Sequence, residues 1–265
     1  MYLLVNYVIQ NYPPPLLSFK RSGDDKPVII YCLGSILSYC PLKPPPMIPL
    51  KDENPTKNFP VLTLIFLALN IGVFIYGVNL PVHPSVLYEN YALIPYKLIH
   101  SPVSAYPTIY TSMFMHAGVW HLGGNMLYLW IFGDNIEDVL GKFRFILFYF
   151  VCGTIAALGH IATDMNSQIP MVGASGAISG ILGAYLILFP FARIKTFVFL
   201  GIFWTITRIP AIVLLLIWIG LQIWNSVATG AGGTAWFAHI GGFIAGVLLI
   251  LPFKHIRLAS EHGNQ

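Results

Sequence analysis

Residues 209–253 read IPAIVLLLIWIGLQIWNSVATGAGGTAWFAHIGGFIAGVLLILPF, 45 residues without a single Lys, Arg, Asp or Glu. A helix needs roughly 20 apolar residues to cross a bilayer, so this stretch holds two spans. It breaks at Thr229-Gly-Ala-Gly-Gly-Thr234, which reads as a tight turn. Four more stretches carry no charge: Asn58 to Tyr88, Leu98 to Phe132, Phe145 to Thr163 and Met165 to Ala192. The expected spans are 60–78, 113–133, 143–163, 171–189, 209–228 and 235–253. The alternating ten-residue segments of a membrane β-barrel are absent, so the fold class is all-α, a polytopic bundle of six transmembrane helices.

Composition agrees. Of 265 residues, 56% are hydrophobic and 9% charged, against roughly 25% charged in a soluble domain. That excludes a disordered chain, a soluble enzyme and a nucleic-acid binder. The net charge of +4 forms no basic face for phosphates. Cys32, Cys40 and Cys152 are too few for a disulfide scaffold and form no CxxC pair. The cysteine spacing suggests no metal or redox pair.

The basic residues orient the spans. Lys51, Lys57, Lys142, Arg144, Arg193, Lys195, Arg208, Lys254 and Arg257 fall on one side, and Lys97 alone on the other. Both termini are therefore expected in the cytoplasm, and spans two, four and six start at the outer face. The first outer loop, about 79–112, alternates Pro with Tyr and reads as structure in the membrane interface. The stretch 190–208 is too short to cross and reads as interfacial or shallowly re-entrant. Residues 1–46, bracketed by Pro13-Pro-Pro15 and Pro44-Pro-Pro46, read as an extension unable to bury a core. It is expected to be dispensable, or absent from a native product starting at Met47. The membrane domain is 47–265.

Polar residues inside a membrane point to function. Span two carries His116, His121 and Asn125; span four carries Gly173-Ala-Ser175-Gly176; span six carries Ala235-Trp-Phe-Ala-His239. Ser175 lies four residues past Met171 and His239 four past Ala235, each about 6 Å below its expected helix start. His121 would lie about 12 Å below Met113 on the same arithmetic, with Asn125 one turn further on the same face. Serine becomes a nucleophile when a base takes its proton, and His is the usual base. Amide hydrolysis also needs donors aimed at the developing oxyanion, which His121 and Asn125 can supply. No carboxylate is placed to complete a triad, so Ser175 and His239 would act as a dyad. Gly176, Gly180 and Gly183 on span four, with Gly242 and Gly246 on span six, would let two backbones touch. Taken singly, such a Ser commonly bonds its own i−4 carbonyl, and a membrane His commonly packs. Glu137 reads as a structural hydrogen-bonding residue. The coincidence of Ser, two His and Asn at one depth favours chemistry.

These motifs resemble the rhomboid intramembrane serine proteases: His116-x4-His121-x3-Asn125, Gly133-x3-Glu137-x3-Gly141, Gly173-x-Ser175-Gly176 and Ala235-x3-His239-x2-Gly242-x3-Gly246. The resemblance covers about 47–265. It implies a six-helix fold with a water-filled cavity opening outward, Ser175 as nucleophile and His239 as general base. It implies an oxyanion hole of the Ser175 N–H, His121 and Asn125, with His116 tying the first loop to the helices. Substrates would be single-span membrane proteins in the lipid bilayer, cut near the outer face, and a prokaryotic plasma membrane would be the location. A catalytically inactive relative that binds membrane clients is the alternative. Two positions depart from the pattern. Many members carry Trp-Arg in the first loop, where this chain has Pro107-Thr108, and an aromatic one turn after the nucleophile, where it has Ser179. A catalytic imidazole needs a second contact, and Ser179 or a water beside it is the expected one, with an aromatic from another helix as the alternative.

Overall fold

The structure, a computed structural model, describes residues 47–200, 203–229 and 235–262. The extension 1–46 and most of the turn expected at 229–234 lie outside the described residues. The chain is mostly helical. Among the described residues six helices have fourteen residues or more: α1 (Val61–Asn79), α6 (Val119–Leu140), α7 (Lys142–Ile161), α8 (Ser175–Leu188), α9 (Ala211–Thr229) and α10 (Trp236–His262). Between α1 and α6 run four short helices, α2 (Pro84–Tyr91), α3 (Pro95–His100), α4 (Pro102–Ala105) and α5 (Thr108–Thr111), then a 3-10 turn at Ser112–Phe114. Among the described residues four helices, α1, α7, α9 and α10, are long and apolar enough to cross a membrane, and α8 is a shorter apolar helix. Helix α6 is long, but its last two turns carry Asp134, Glu137 and Asp138.

All-α needs correcting. Strands β1 (Met47–Asp52), β2 (Arg193–Leu200) and β3 (Phe203–Pro210) form an antiparallel sheet in the order β1-β2-β3. The stretch read as interfacial or re-entrant is mostly the β2–β3 pair, in register from Arg193 opposite Pro210 to Leu200 opposite Phe203. Thr196-Phe-Val-Phe-Leu and Phe203-Trp-Thr-Ile-Thr are β-branched and aromatic, the residues that suit a pleated, half-buried surface. Ile194, Thr196 and Val198 point inward and are buried, while their neighbours are half-buried or exposed, the period of two that a one-sided strand requires.

Two helix starts also differ from the sequence reading. Helix α8 begins at Ser175, not 171, because Met171 pairs with Leu93 (N···O 2.8 and 3.1 Å) and Gly173 N–H donates to the Ser112 carbonyl (2.9 Å). Helix α6 begins at Val119, not 113, since Met113 belongs to the 3-10 turn. His121, Ser175 and His239 are thus the third, first and fourth residues of their helices. The absolute depths were wrong, but all three stand in a first helical turn.

Helices α8 and α10 meet backbone to backbone. A Cβ on Gly246 would land on the Gly180 carbonyl, one on Gly242 on the Gly176 carbonyl, and one on Gly183 on the Phe243 carbonyl. Phe132, Tyr149, Ile181, Leu182 and Tyr185 fill the core around this contact.

Candidate active site

The close approach of α8 and α10 brings a serine to a histidine. His239 Nε2 lies 2.9 Å from Ser175 Oγ, hydrogen-bond distance between residues 64 apart in sequence. His239 is buried, at 3% exposure. Its other ring nitrogen, Nδ1, lies 2.8 Å from Gln222 Oε1 on α9. Both nitrogens are therefore engaged, and none is left for Ser179. The Ser179 hydroxyl instead donates to the Ser175 carbonyl of its own helix (2.6 Å), the ordinary back-bonding of a helical serine. Trp218 on α9 and Trp236 on α10 set their rings 6.0 and 6.2 Å from the imidazole, so aromatic neighbours come from other positions than the one Ser179 fills.

Ser175 starts its helix. The first N–H groups of a helix have no intrahelical acceptor, and the first bond here is Ile178 N–H to the Ala174 carbonyl (3.0 Å). No side chain caps this end. Before it, Gly173 holds φ +122, and a Cβ there would meet the His121 ring at 2.8 Å while lying 3.7 Å from Ser175 Oγ. His121 Nε2 and Ser175 Oγ thus flank one point, and only glycine leaves it open. Gly176 is similarly tight, since a Cβ would come within 2.7 Å of Ala156.

Asn125 is buried and donates from Nδ2 to the His121 carbonyl (2.8 Å), while its Oδ1 has no partner among the described residues. His116 is buried and sets its ring 5.1 Å from His121, edge to face. Beside Ser175 is a cavity of about 20 Å³, lined in part by Met113, Gly153, Ala157 and Ala238, room for about one water. Glu137 lies at the opposite end of α6. Its carboxylate accepts from Leu62 N–H (2.9 Å), Thr63 N–H (2.8 Å) and Thr63 Oγ1 (2.9 Å) at the start of α1.

The first loop has no Trp-Arg pair and is held otherwise. Besides the Leu93–Met171 bridge, Tyr96 N–H donates to the Ser167 carbonyl (3.0 Å) and Thr111 Oγ1 to the Tyr91 carbonyl (2.7 Å). The same bridge fixes the approach to Ser175.

The Rhomboid domain profile matches residues 104–255, more than half of the chain. The chain belongs to the rhomboid family. It is 33% identical over 197 residues to mitochondrial Rhomboid protein 1 of Saccharomyces cerevisiae, covering 70% of this chain and 51% of that one. It is 35% identical over 142 residues to Rhomboid protease GluP of Bacillus subtilis, covering 54% and 26%. RHOMBOID-like protein 1 of Arabidopsis thaliana matches at 32% over 159 residues, 59% and 36%. The chain thus spans between a quarter and about half of the length of these relatives. As a rhomboid with several apolar helices it is a multi-pass membrane protein. Its relatives include mitochondrial and bacterial proteins alike, so a prokaryotic plasma membrane does not follow from them.

Sequence reading missed Gln222. Its signal was present: an uncharged polar residue in an apolar span, one turn from Trp218 and so on the same face. Trp218 reads from sequence as a lipid-facing or packing group; it packs, beside the imidazole.

Proposed function

We propose that this rhomboid is an intramembrane serine endopeptidase that cuts single-span membrane proteins. The observation that carries the reading is the 2.9 Å contact between His239 Nε2 and Ser175 Oγ, a nucleophile and base within hydrogen-bond reach. Ser175 Oγ attacks the scissile carbonyl as its proton passes to His239 Nε2. The tetrahedral oxyanion takes donors from the Ser175 N–H, His121 Nε2 and the second hydrogen of Asn125 Nδ2. The imidazolium then protonates the leaving amine, and a water enters to hydrolyse the acyl-serine by the same route in reverse. The cavity beside Ser175, sized for about one water, supports that last step.

In this reading α6 and α8 span with α1, α7, α9 and α10, giving six crossings. Lys51, Lys57, Lys142, Arg144, Arg193, Lys195 and Arg208 all belong to the end away from Ser175, which makes that end cytoplasmic by the positive-inside rule. Both termini are then cytoplasmic, and His116 and the short-helix loop border the site at the outer face. The domain comprises 47–265, with 1–46 dispensable.

The test is a fluorophosphonate probe together with a model single-span substrate. Wild type labels at one serine and cuts. Ser175→Ala and His239→Ala fold, label weakly or not at all, and lose cleavage by at least about 10⁴-fold. A purified Ser175→Ala that cuts normally refutes the assignment, and a wild type that binds clients without labelling points to the inactive relative.

A further inference from the structure

Gln222 is a buried side chain that lies within hydrogen-bond distance of His239 and does not belong to the rhomboid motifs quoted above. At 5% exposure it can reach only what surrounds it. A primary amide presents two different ends, an oxygen that accepts and an NH₂ that donates. Here a third group distinguishes them. Gln222 Nε2 lies 3.2 Å from the backbone carbonyl of Trp218, one turn earlier on α9. A carbonyl only accepts, so the NH₂ must face Trp218 and the oxygen must face His239. The oxygen lies 2.8 Å from His239 Nδ1, and because it only accepts, Nδ1 must carry the proton. A neutral imidazole has one N–H. Nε2 is therefore the bare nitrogen, and it faces Ser175 Oγ.

We propose that Gln222 is a positioning residue that fixes the tautomer and ring angle of His239, so that the catalytic unit is a relay from the Trp218 carbonyl through Gln222 and His239 to Ser175. The kinetic consequence rests on the protease reading; the tautomer does not. During acylation the Ser175 proton moves to Nε2 while the Nδ1 proton stays in its bond to Gln222 Oε1. The imidazolium is held at both nitrogens, and no charge enters α9. An Asp in that place would add a buried charge needing its own solvation; an amide orients the ring without it. The other titratable groups near His239 are His121 on α6 and His160 on α7. Among the described residues no Asp or Glu hydrogen-bonds the imidazole, so the amide has no competitor for Nδ1.

The experiment compares wild type, Gln222→Met and Gln222→Glu in bilayers. Met keeps the length and loses the acceptor; Glu keeps the acceptor. The ¹⁵N shifts of His239, assigned by comparison with His239→Ala, report which nitrogen is protonated. Wild type shows the proton on Nδ1, and Gln222→Met loses that preference. With a single-span substrate, Gln222→Met lowers kcat by about 10- to 100-fold with KM within about twofold. Gln222→Glu keeps the proton on Nδ1 and recovers most of kcat, which a mere packing role would not restore selectively. A wild type protonated at Nε2, or a Gln222→Met matching wild type in both tautomer and kcat, overturns the proposal. A wild type with Nδ1–H that neither labels nor cuts refutes the protease reading and leaves the positioning of His239 standing.

Discussion

Helices α1 and α8 start in opposite ways. Each exposes N–H groups with no intrahelical acceptor and the positive end of a helix dipole. At α1 the Glu137 carboxylate takes both the Leu62 and Thr63 N–H groups and the Thr63 hydroxyl as well. At α8 no side chain caps the end, and its first residue is Ser175. Buried donors are nearly always paired, and an anion or a developing oxyanion suits a helix start that no side chain caps. The difference extends to the surroundings. Near Glu137 the chain collects Asp52, Asn54, Asp134, Asn135 and Tyr185 into one hydrogen-bonded cluster beside the sheet. Near Ser175 it collects glycine, histidine and neutral amides.

The capped start should be the more sensitive to loss of one side chain. Glu137→Ala strands two N–H groups and a hydroxyl in a buried place, and should cost about 3 kcal/mol or more. Thermal unfolding in detergent reads this. The fraction that still folds should keep its kcat, because Glu137 is far along α6 from His121. A Glu137→Ala as stable as wild type would end the contrast between the two starts.

Next in size is the contact that holds the uncapped start against its histidine. Gly246→Ala puts a methyl group onto the Gly180 carbonyl. The helices must part, costing about 1–3 kcal/mol by overpacking. Because Ser175 and His239 ride on the separating helices, activity should fall more than tenfold even where the protein stays folded. The two losses part company here: Glu137→Ala lowers stability alone, and Gly246→Ala lowers both.

Much of this was legible before the structure. Glycines at four-residue spacing on two spans allow two backbones to touch, and α8 and α10 do meet at Gly176, Gly180, Gly242 and Gly246, with Ser175 Oγ 2.9 Å from His239 Nε2. Other features were illegible for physical reasons. Met171 to Ala174 is apolar and reads as span, yet its backbone is bound to Leu93 and Ser112, and hydropathy does not record backbone pairing. Arg193–Pro210 is apolar enough to suggest a membrane surface, but its two strands pair with each other and with Met47–Asp52, about 145 residues earlier, a partner that local sequence does not reveal. Gln222 carried no spacing that linked it to His239; the link is a meeting of α9 with α10.

The cluster beside the sheet gives a pH test. Burial, and after it the nearby Asp134 carboxylate, push Asp52 up to about 6 from 3.8, against the opposing bonds from Tyr185 and Asn135. Below pH about 4 Asp52 is protonated in both folded and unfolded chains. Between about 4 and 6 it is protonated only in the folded one, so folding takes up a proton and stability falls as pH rises, by about 1 kcal/mol per pH unit. Above 6 both states are ionised and the contribution is level. Asp52→Asn should flatten this slope in the same window when unfolding is followed from pH 4.5 to 7.5. An unchanged slope would remove Asp52 from the titration.

The smallest effect should come from Ser179, one turn past Ser175 on the same helix. Its hydroxyl donates at 2.6 Å to the Ser175 carbonyl, which already accepts within the helix. Ser179→Ala removes a redundant donor and leaves a carbonyl still paired, so no buried group is orphaned. Stability should change by less than about 1 kcal/mol. Turnover and its pH profile should stay within twofold of wild type, because both nitrogens of His239 are already held, one by Ser175 and one by Gln222. The pair of variants then separates nearness from function. Ser179 shares a helix face with Ser175 and should be silent; Gln222 lies on another helix and should not be. A Ser179→Ala that loses tenfold or more in kcat, with Gln222→Met unaffected, would transfer the orienting contact back to α8.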